Sequence, residues 1–227
     1  MKNLLIRALS ALYILVASSF WLAAQATIDF NLFEIEGFEA SKVFKFDASY
    51  TEKFGIPVAV PFQINVPINR QIELIADGKP AGGGLAKFTF ATKDEPRTFI
   101  ENIQIVSATI PLMTDQDDPA AARVQVAVGL LTDQVFPAAV QGFQNAKILT
   151  VEEISMGGVH AVHLIGTYDD PTIGAMLLRL VAMPHPSNEQ SYVTISNINL
   201  ALVPVMDGPT LAASLSGRVM SSWTYLP

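Results

Sequence analysis

Cysteine is absent from the 227-residue chain. That excludes disulfide staples, thiol nucleophiles and lipid attachment through an N-terminal cysteine, so stability has to come from a packed core. Charge is scarce too, at 15% of residues against roughly 25% in ordinary soluble domains. Such a deficit implies strands buried on both sides or an apolar surface kept for a partner. The scarcer sign is positive, with fourteen Lys and Arg against twenty-one Asp and Glu, and the basic residues are scattered singly. A polyanion needs a basic groove to release its counterions, so the composition argues against nucleic acid as a partner, and anionic lipid surfaces are disfavoured for the same reason.

The chain opens with MKNLLIRALSALYILVASSFWLAAQA. Lys2 and Arg7 supply a positive start, Ala8 to Leu22 carry no charge, and Ala24-Gln25-Ala26 has the A-x-A form of a cleavage site. These are the three parts of an export signal, which places the cut between Ala26 and Thr27 and the mature chain in the periplasm. An uncut anchor is the competing reading, since roughly 20 apolar residues span a hydrocarbon core. Later apolar stretches are interrupted by Arg123, Asp133, Lys147, His160, Asp169 and Arg179, so no transmembrane segment is expected once the signal is cleaved.

After the leader the chain divides into a Phe-rich extension, 27–60, and a domain, 61–227. Phe44, Phe46, Ala48 and Tyr50 alternate with Lys45, Asp47 and Ser49, the period of a strand with one wet face, and a hairpin is expected to turn near GFEAS. The aromatic residues of this segment either cover a sheet edge or form an arm for a partner, and Phe30, Phe33 and Phe38 are the docking candidates. Further strands are expected at Phe62 to Val66, Gln71 to Ala76, Leu85 to Ala91 and Asn102 to Ser107, each bounded by turn chemistry. Asp118 is suited to cap a helix and Pro119 to open it. Val124, Val128, Leu131 and Val135 form its apolar stripe, with a kink or split at Pro137 and an end near Asn145. Four antiparallel strands follow, at Lys147 to Glu153, Val159 to Tyr168, Ala175 to Met183 and Ser191 to Val203, with a bulge or break expected near Asn197 where the apolar parity shifts. A last helix from Thr210 turns Leu211, Leu215 and Val219 inward, with Trp223 near its end. Strands apolar on both faces, with helices before and after them, predict three layers.

From Pro61 to Trp223 the order of elements and several strings resemble the PsbP-like superfamily, including bacterial envelope proteins of the DcrB kind. The strings are PFQINVP, AKFTF, ENIQIV, the helix Ala120 to Phe143, KILTVEEISMGGVHAVHLIGTYDD and SGRVMSSW. The resemblance implies an α+β fold, an α/β/α sandwich around a central antiparallel sheet, here with an N-terminal β-rich extension. It also implies proteins that bind partners or assist assemblies rather than turn over substrates. The chain departs from the lipoprotein members in having no cysteine at the signal junction, and Thr27 to Phe54 has no counterpart in the resemblance.

The search for chemistry is short. His160 and His163 are three apart, which in a strand puts them on opposite faces, and His185 lies between two prolines. The cluster Asp115, Asp117 and Asp118 lacks the glycine and late glutamate of a calcium loop, so turn and cap roles fit it better. Glu152 and Glu153 point apart on a strand, and Gly82 to Gly84 lack the Lys-Ser/Thr of a phosphate loop. No metal, cofactor or catalytic residue is expected. The function this supports is a non-enzymatic, exported accessory protein that binds an envelope protein. The alternative is a carrier or sensor of a small apolar ligand, whose pocket would be lined by apolar side chains.

Overall fold

The computed structural model describes residues 30–38, 40–80, 84–156 and 158–227. The leader with its cut, the glycines Gly82 and Gly83, and Gly157 lie outside the described residues. A 3-10 turn at Leu32–Glu34 precedes β1 (Ala40–Phe46), α1 (Ala48–Phe54), β2 (Phe62–Ile68), β3 (Ile72–Asp77), β4 (Ala86–Thr92) and β5 (Phe99–Thr109). A helical run follows, made of α2 (Pro119–Gly129), a π segment (Leu130–Val135) and α3 (Phe136–Ala139). Then come β6 (Gln144–Met156), β7 (Val159–Asp170), β8 (Gly174–Met183), β9 (Gln190–Asn199), α4 (Gly208–Ala213), α5 (Leu215–Ser221) and β10 (Thr224–Tyr225). The fold is α+β, with a seven-stranded antiparallel sheet in the order β3-β4-β5-β9-β8-β7-β6 and a three-stranded sheet in the order β1-β2-β10.

The first face of the large sheet is sealed by the helical run. Register aligns Val162 with Ala182, Leu164 with Leu180 and Tyr168 with Met176, and carries the row on to Ile195 and Val193 of β9. Val124, Ala127, Leu131 and Phe136 close over these residues in one core. Asp118 caps the run as expected, its Oδ1 accepting from the Ala121 amide at 3.0 Å. Pro137 does not split the helix; the chain instead widens into the π segment, where Phe136 N donates to Leu131 O. Five-residue spacing accommodates an imino acid that has no N–H to give. The helix ends at Ala139 rather than near Asn145. Phe136 reaches the sheet only because position 166 is glycine, since a Cβ there would lie 2.6 Å from its ring and 2.8 Å from Lys147 O.

The second face is covered by the three-stranded sheet and by α4 and α5, so this layer is mixed where a helix alone was expected. Phe62 is stacked between Phe46, at 4.4 Å, and Trp223, at 4.0 Å, with both neighbouring planes within 9° of its own. Tyr192 of β9 meets Phe62 at 4.6 Å, and its hydroxyl donates to Val60 O at 2.6 Å. Leu211, Leu215, Val219 and Trp223 are buried as the sequence pattern requires. Their helix is broken at Ser214, whose hydroxyl caps α5 by accepting from Gly217 N at 3.0 Å.

Three expectations are corrected. The Phe-rich segment is no separate hairpin: among the described residues no strand precedes Ala40, and β1 pairs with β2 from Ala40↔Ile68 to Phe46↔Phe62. Residues 31–60 accordingly belong to one compact unit, Asn31–Pro227, and the strand partner of the extension lies beyond Pro61. The alternation in VFKFDASY ends at Phe46, because Asp47 accepts from the Ser49 and Tyr50 amides at 2.9 and 3.2 Å and starts a helix. Of the bulge or break expected near Asn197, the bulge does not occur, since pairing with β5 and β8 runs without a shift through that residue; the strand stops at Asn199 and does not continue to Val203.

Replacing Phe62 with alanine removes the middle ring of the stack. Urea unfolding of the purified protein should show a loss of roughly 3–5 kcal/mol. Ile75→Ala, at an exposed site, should stay within about 0.5 kcal/mol. Equal losses from the two variants would show that the stack does not anchor the second layer.

Candidate functional site

The extension builds a groove against the large sheet. Its walls are β1 (Lys42 to Phe46), α1 (Ser49, Tyr50, Lys53, Phe54), the end of β3 with Gly78, and Ala86 and Phe88 of β4, around a volume of about 390 Å³. The floor is aromatic, with Phe44 meeting Phe88 edge-on at 4.7 Å and Tyr50 meeting Phe54 at 4.5 Å. Gly78 makes room for Phe54, since a Cβ at that position would lie 2.4 Å from the ring. The rim is basic. Lys42 Nζ sits 5.2 Å from the centre of the Phe44 ring, Lys53 Nζ sits 5.0 Å from that of Phe54, and Lys45 flanks them. Asp77 is the acidic residue of the lining.

Local chemistry makes the groove rigid. The Tyr50 hydroxyl lies between the Gly78 and Leu85 carbonyls and shares its proton with them. Burial, with Asp77 adding to it, pushes this phenol up to about 12, so it stays a neutral donor. α1 is capped by Asp47 and ended by Gly55 at φ 70°, a left-handed turn that glycine takes without strain. Val43 is left 53% exposed at the border of the groove.

The docking candidates from the sequence fall elsewhere. Phe30 and Phe33 are half-buried, and the Phe38 ring carries the Arg218 guanidinium at 4.8 Å. None of the three lines the groove. These three rings and most of the rings that line the groove belong to the same stretch of sequence. The usable signal was the lysines interleaved with Phe44 and Phe46, a pattern that places cations beside aromatic faces.

A second polar feature lies inside the second face of the large sheet. Glu101 is fully buried, and its two oxygens accept from Leu215 N, Ser216 N and Ser216 Oγ at 2.9 to 3.0 Å. Two strands away, Arg179 is 5% exposed, and its Nε and Nη1 have no hydrogen-bond partner. Thr194 and Ser196 point into the same layer with unpartnered hydroxyls, and His163 follows on β7. Burial first, and the Arg179 charge second, hold the His163 imidazole below its usual range. Its Nε2 lies 3.6 Å from Glu152 Oε2, whereas His160 pairs with Glu153 at 3.1 Å on the opposite face. The two histidines are therefore apart, as strand parity requires. Burial raises the Glu101 carboxyl from 4.5 to about 7 in spite of its donors and of Arg179. Titrating near neutrality would suit a general acid or base, yet no substrate reaches a fully buried carboxyl whose oxygens are already engaged. Among the described residues no group of three or more His, Cys, Asp and Glu side chains could hold a metal ion, and no helix is long and apolar enough to cross a membrane.

No family model and no curated protein matches the chain. Solved structures do. LpqN of Mycobacterium tuberculosis, involved in cell envelope biogenesis, is 13% identical with a TM-score of 0.45, over 82% of this chain and 92% of that one. Cyanobacterial PsbP from Synechocystis is 15% identical with a TM-score of 0.45, over 85% and 98%. The yeast Ran-binding protein Mog1p is 10% identical with a TM-score of 0.42, over 82% and 96%. At these identities the description of the fold rests on the strand order and pairing given above.

The raised Glu101 carboxyl makes a signed prediction. Between pH 4.5 and about 7 the folded chain holds a proton that the unfolded chain has released, so this group costs stability as pH rises through that window. The charged groups facing it are Arg179 and, farther along the layer, His163. The unfolding free energy of the native chain minus that of Glu101→Gln should shrink from pH 5 to pH 8. A difference that grows with pH would mean that Arg179 and the α5 amides hold the carboxylate ionised.

Proposed function

We propose that this chain is an exported, non-enzymatic accessory protein of the periplasm that holds an acidic, partly apolar segment of an envelope protein in the groove between β1 and α1. One observation carries the reading: a preformed aromatic cleft rimmed by Lys42, Lys45 and Lys53 in a chain where acidic residues outnumber basic ones. Aromatic floors supply apolar contact at low entropic cost, and rim charges select the partner's sign and speed its approach. The inaccessibility of Glu101 supports a role without turnover. Phe30 and Phe33 stay in the proposal as a secondary contact, while Phe38 is occupied by Arg218.

Affinity capture from envelope extract tests this reading. The native protein should enrich a reproducible partner, and the triple variant Lys42→Glu, Lys45→Glu, Lys53→Glu should lower its recovery by about tenfold or more. Equal recovery by the two proteins would overturn the assignment of the groove.

A second reading, a carrier of a small apolar ligand, is favoured by a separate cleft of about 500 Å³ walled by Leu112, Pro119, Val124, Pro184 and Pro186, with Thr114, Arg123, His160 and Ser187 as its polar members. On that reading, native mass spectrometry of freshly purified protein shows a stoichiometric added mass that Ala120→Trp, at the same cleft, removes. A bare polypeptide excludes it.

A further inference from the structure

Five consecutive residues of β1, Lys42 to Phe46, border the groove. Successive side chains of a strand point to opposite faces, so a cleft lying against one face meets every second residue. A cleft that meets them all runs beside the strand's edge. β1 is the terminal strand of its sheet and bonds to β2 alone. Among the described residues, no backbone hydrogen bond outside that pairing reaches Ser41 to Phe46. The groove therefore offers a row of open N–H and C=O groups along an aromatic floor.

Free edges are normally blunted by bulges or inward charges, and the edges of this protein differ in that respect. β6, the free edge at the far side of the large sheet, is broken by register shifts at Gln144/Lys147 and Ile148/Thr150. β1 pairs with β2 without a shift over its whole length, so its edge is regular. Its lysines repel basic strands and leave the edge open to acidic ones.

We infer that the groove takes its partner by β-strand addition: an extended segment of about five to seven residues, alternating apolar and acidic, pairs along the free edge of β1. This rests on the docking reading of the groove and specifies its mode. Main-chain bonds to β1 supply affinity; apolar side chains lie over Phe44 and Phe88, and the carboxylates, on the opposite face of the added strand, meet Lys45, with Lys42 and Lys53 adding to the positive field of the rim. The length limit follows from Asp47, which ends the strand after seven residues. A second copy of this chain is a poorer occupant. Its acidic run at 115–118 ends in Asp118, which caps α2 and is followed by Pro119, a residue without the N–H that strand pairing uses, and its exposed Glu152 and Glu153 lie on β6, whose register shifts interrupt a regular edge.

The test uses synthetic peptides and the isotopically labelled mature chain. The probes are a capped Val-Asp-Val-Glu-Val-Asp-Val peptide, its lysine counterpart, and two acidic versions N-methylated at the odd or at the even positions. An added strand bonds through one edge, so one methylated version should lose binding while the other keeps it. The unmodified acidic peptide should shift the amide resonances of Lys42 to Phe46 and slow their hydrogen exchange. The lysine peptide should bind at least about tenfold more weakly, and the triple Lys→Glu variant should reverse that preference. If both methylated peptides bind as well as the parent, with shifts confined to groove side chains, strand addition is overturned and the docking reading survives. If the acidic peptide perturbs no groove residue at millimolar concentration, both fall. If the peptide-free protein is a dimer whose β1 amides are already protected, the occupant is a second copy and the partner assignment is overturned.

Discussion

The stack of Phe46, Phe62 and Trp223 is the contact on which the second layer depends. It joins the last residue of β1, the first of β2 and the residue before β10, so three distant parts of the chain meet in one column of parallel rings. Aromatic burial of this kind dominates core energetics. Tyr192 ties the column to the large sheet through its ring and its bond to Val60. Phe44 is carried over β4, where it meets Phe88, because Phe46 is anchored two residues later. The groove is thus a by-product of the stack: anchoring one end of β1 holds its edge clear of the large sheet, and α1 then closes the far wall.

Beside the stack, the same layer contains charge. Burying Glu101 and Arg179 is costly unless their polar atoms are engaged. The structure meets this demand unevenly. Glu101 is satisfied by the first amides of α5, which pins the C-terminal helix to β5, whereas Arg179 keeps open donors. Register sets Ser196 opposite Arg179 and His163 opposite the exposed Glu152, while Glu101 lies opposite Ile198 and Arg179 opposite Ile165, so the polar side chains form a staggered band and not one row.

Much of the architecture could be read from residue order. β7 and β8 are apolar at every parity because both of their faces are covered, and the Asp118-Pro119 start of the helical run is a local signal needing no tertiary partner. Reading failed where a local pattern had a non-local cause. The parity shift near Asn197 suggested a bulge or break; Thr194 and Ser196 are buried polar residues of the second face, and the strand pairs without a shift until it ends at Asn199. Likewise Phe30, Phe33 and Phe38 belong to the same ring-rich segment as Phe44, Phe46 and Phe54, and ring density alone does not distinguish those that line a cleft from those already covered.

The amino-acid order by itself determined the antiparallel α+β class, the positions of the main strands and the local caps, since these follow from periodicity, turn residues and hydrogen bonds within a few positions. Tertiary structure alone decided that β1 pairs with β2, that Phe54 fits against Gly78, that a π turn accommodates Pro137, and that one strand edge stays open above an aromatic floor. Each of those outcomes depends on which distant surfaces exclude water together, and burial is a property of the assembled layers that a linear pattern does not carry.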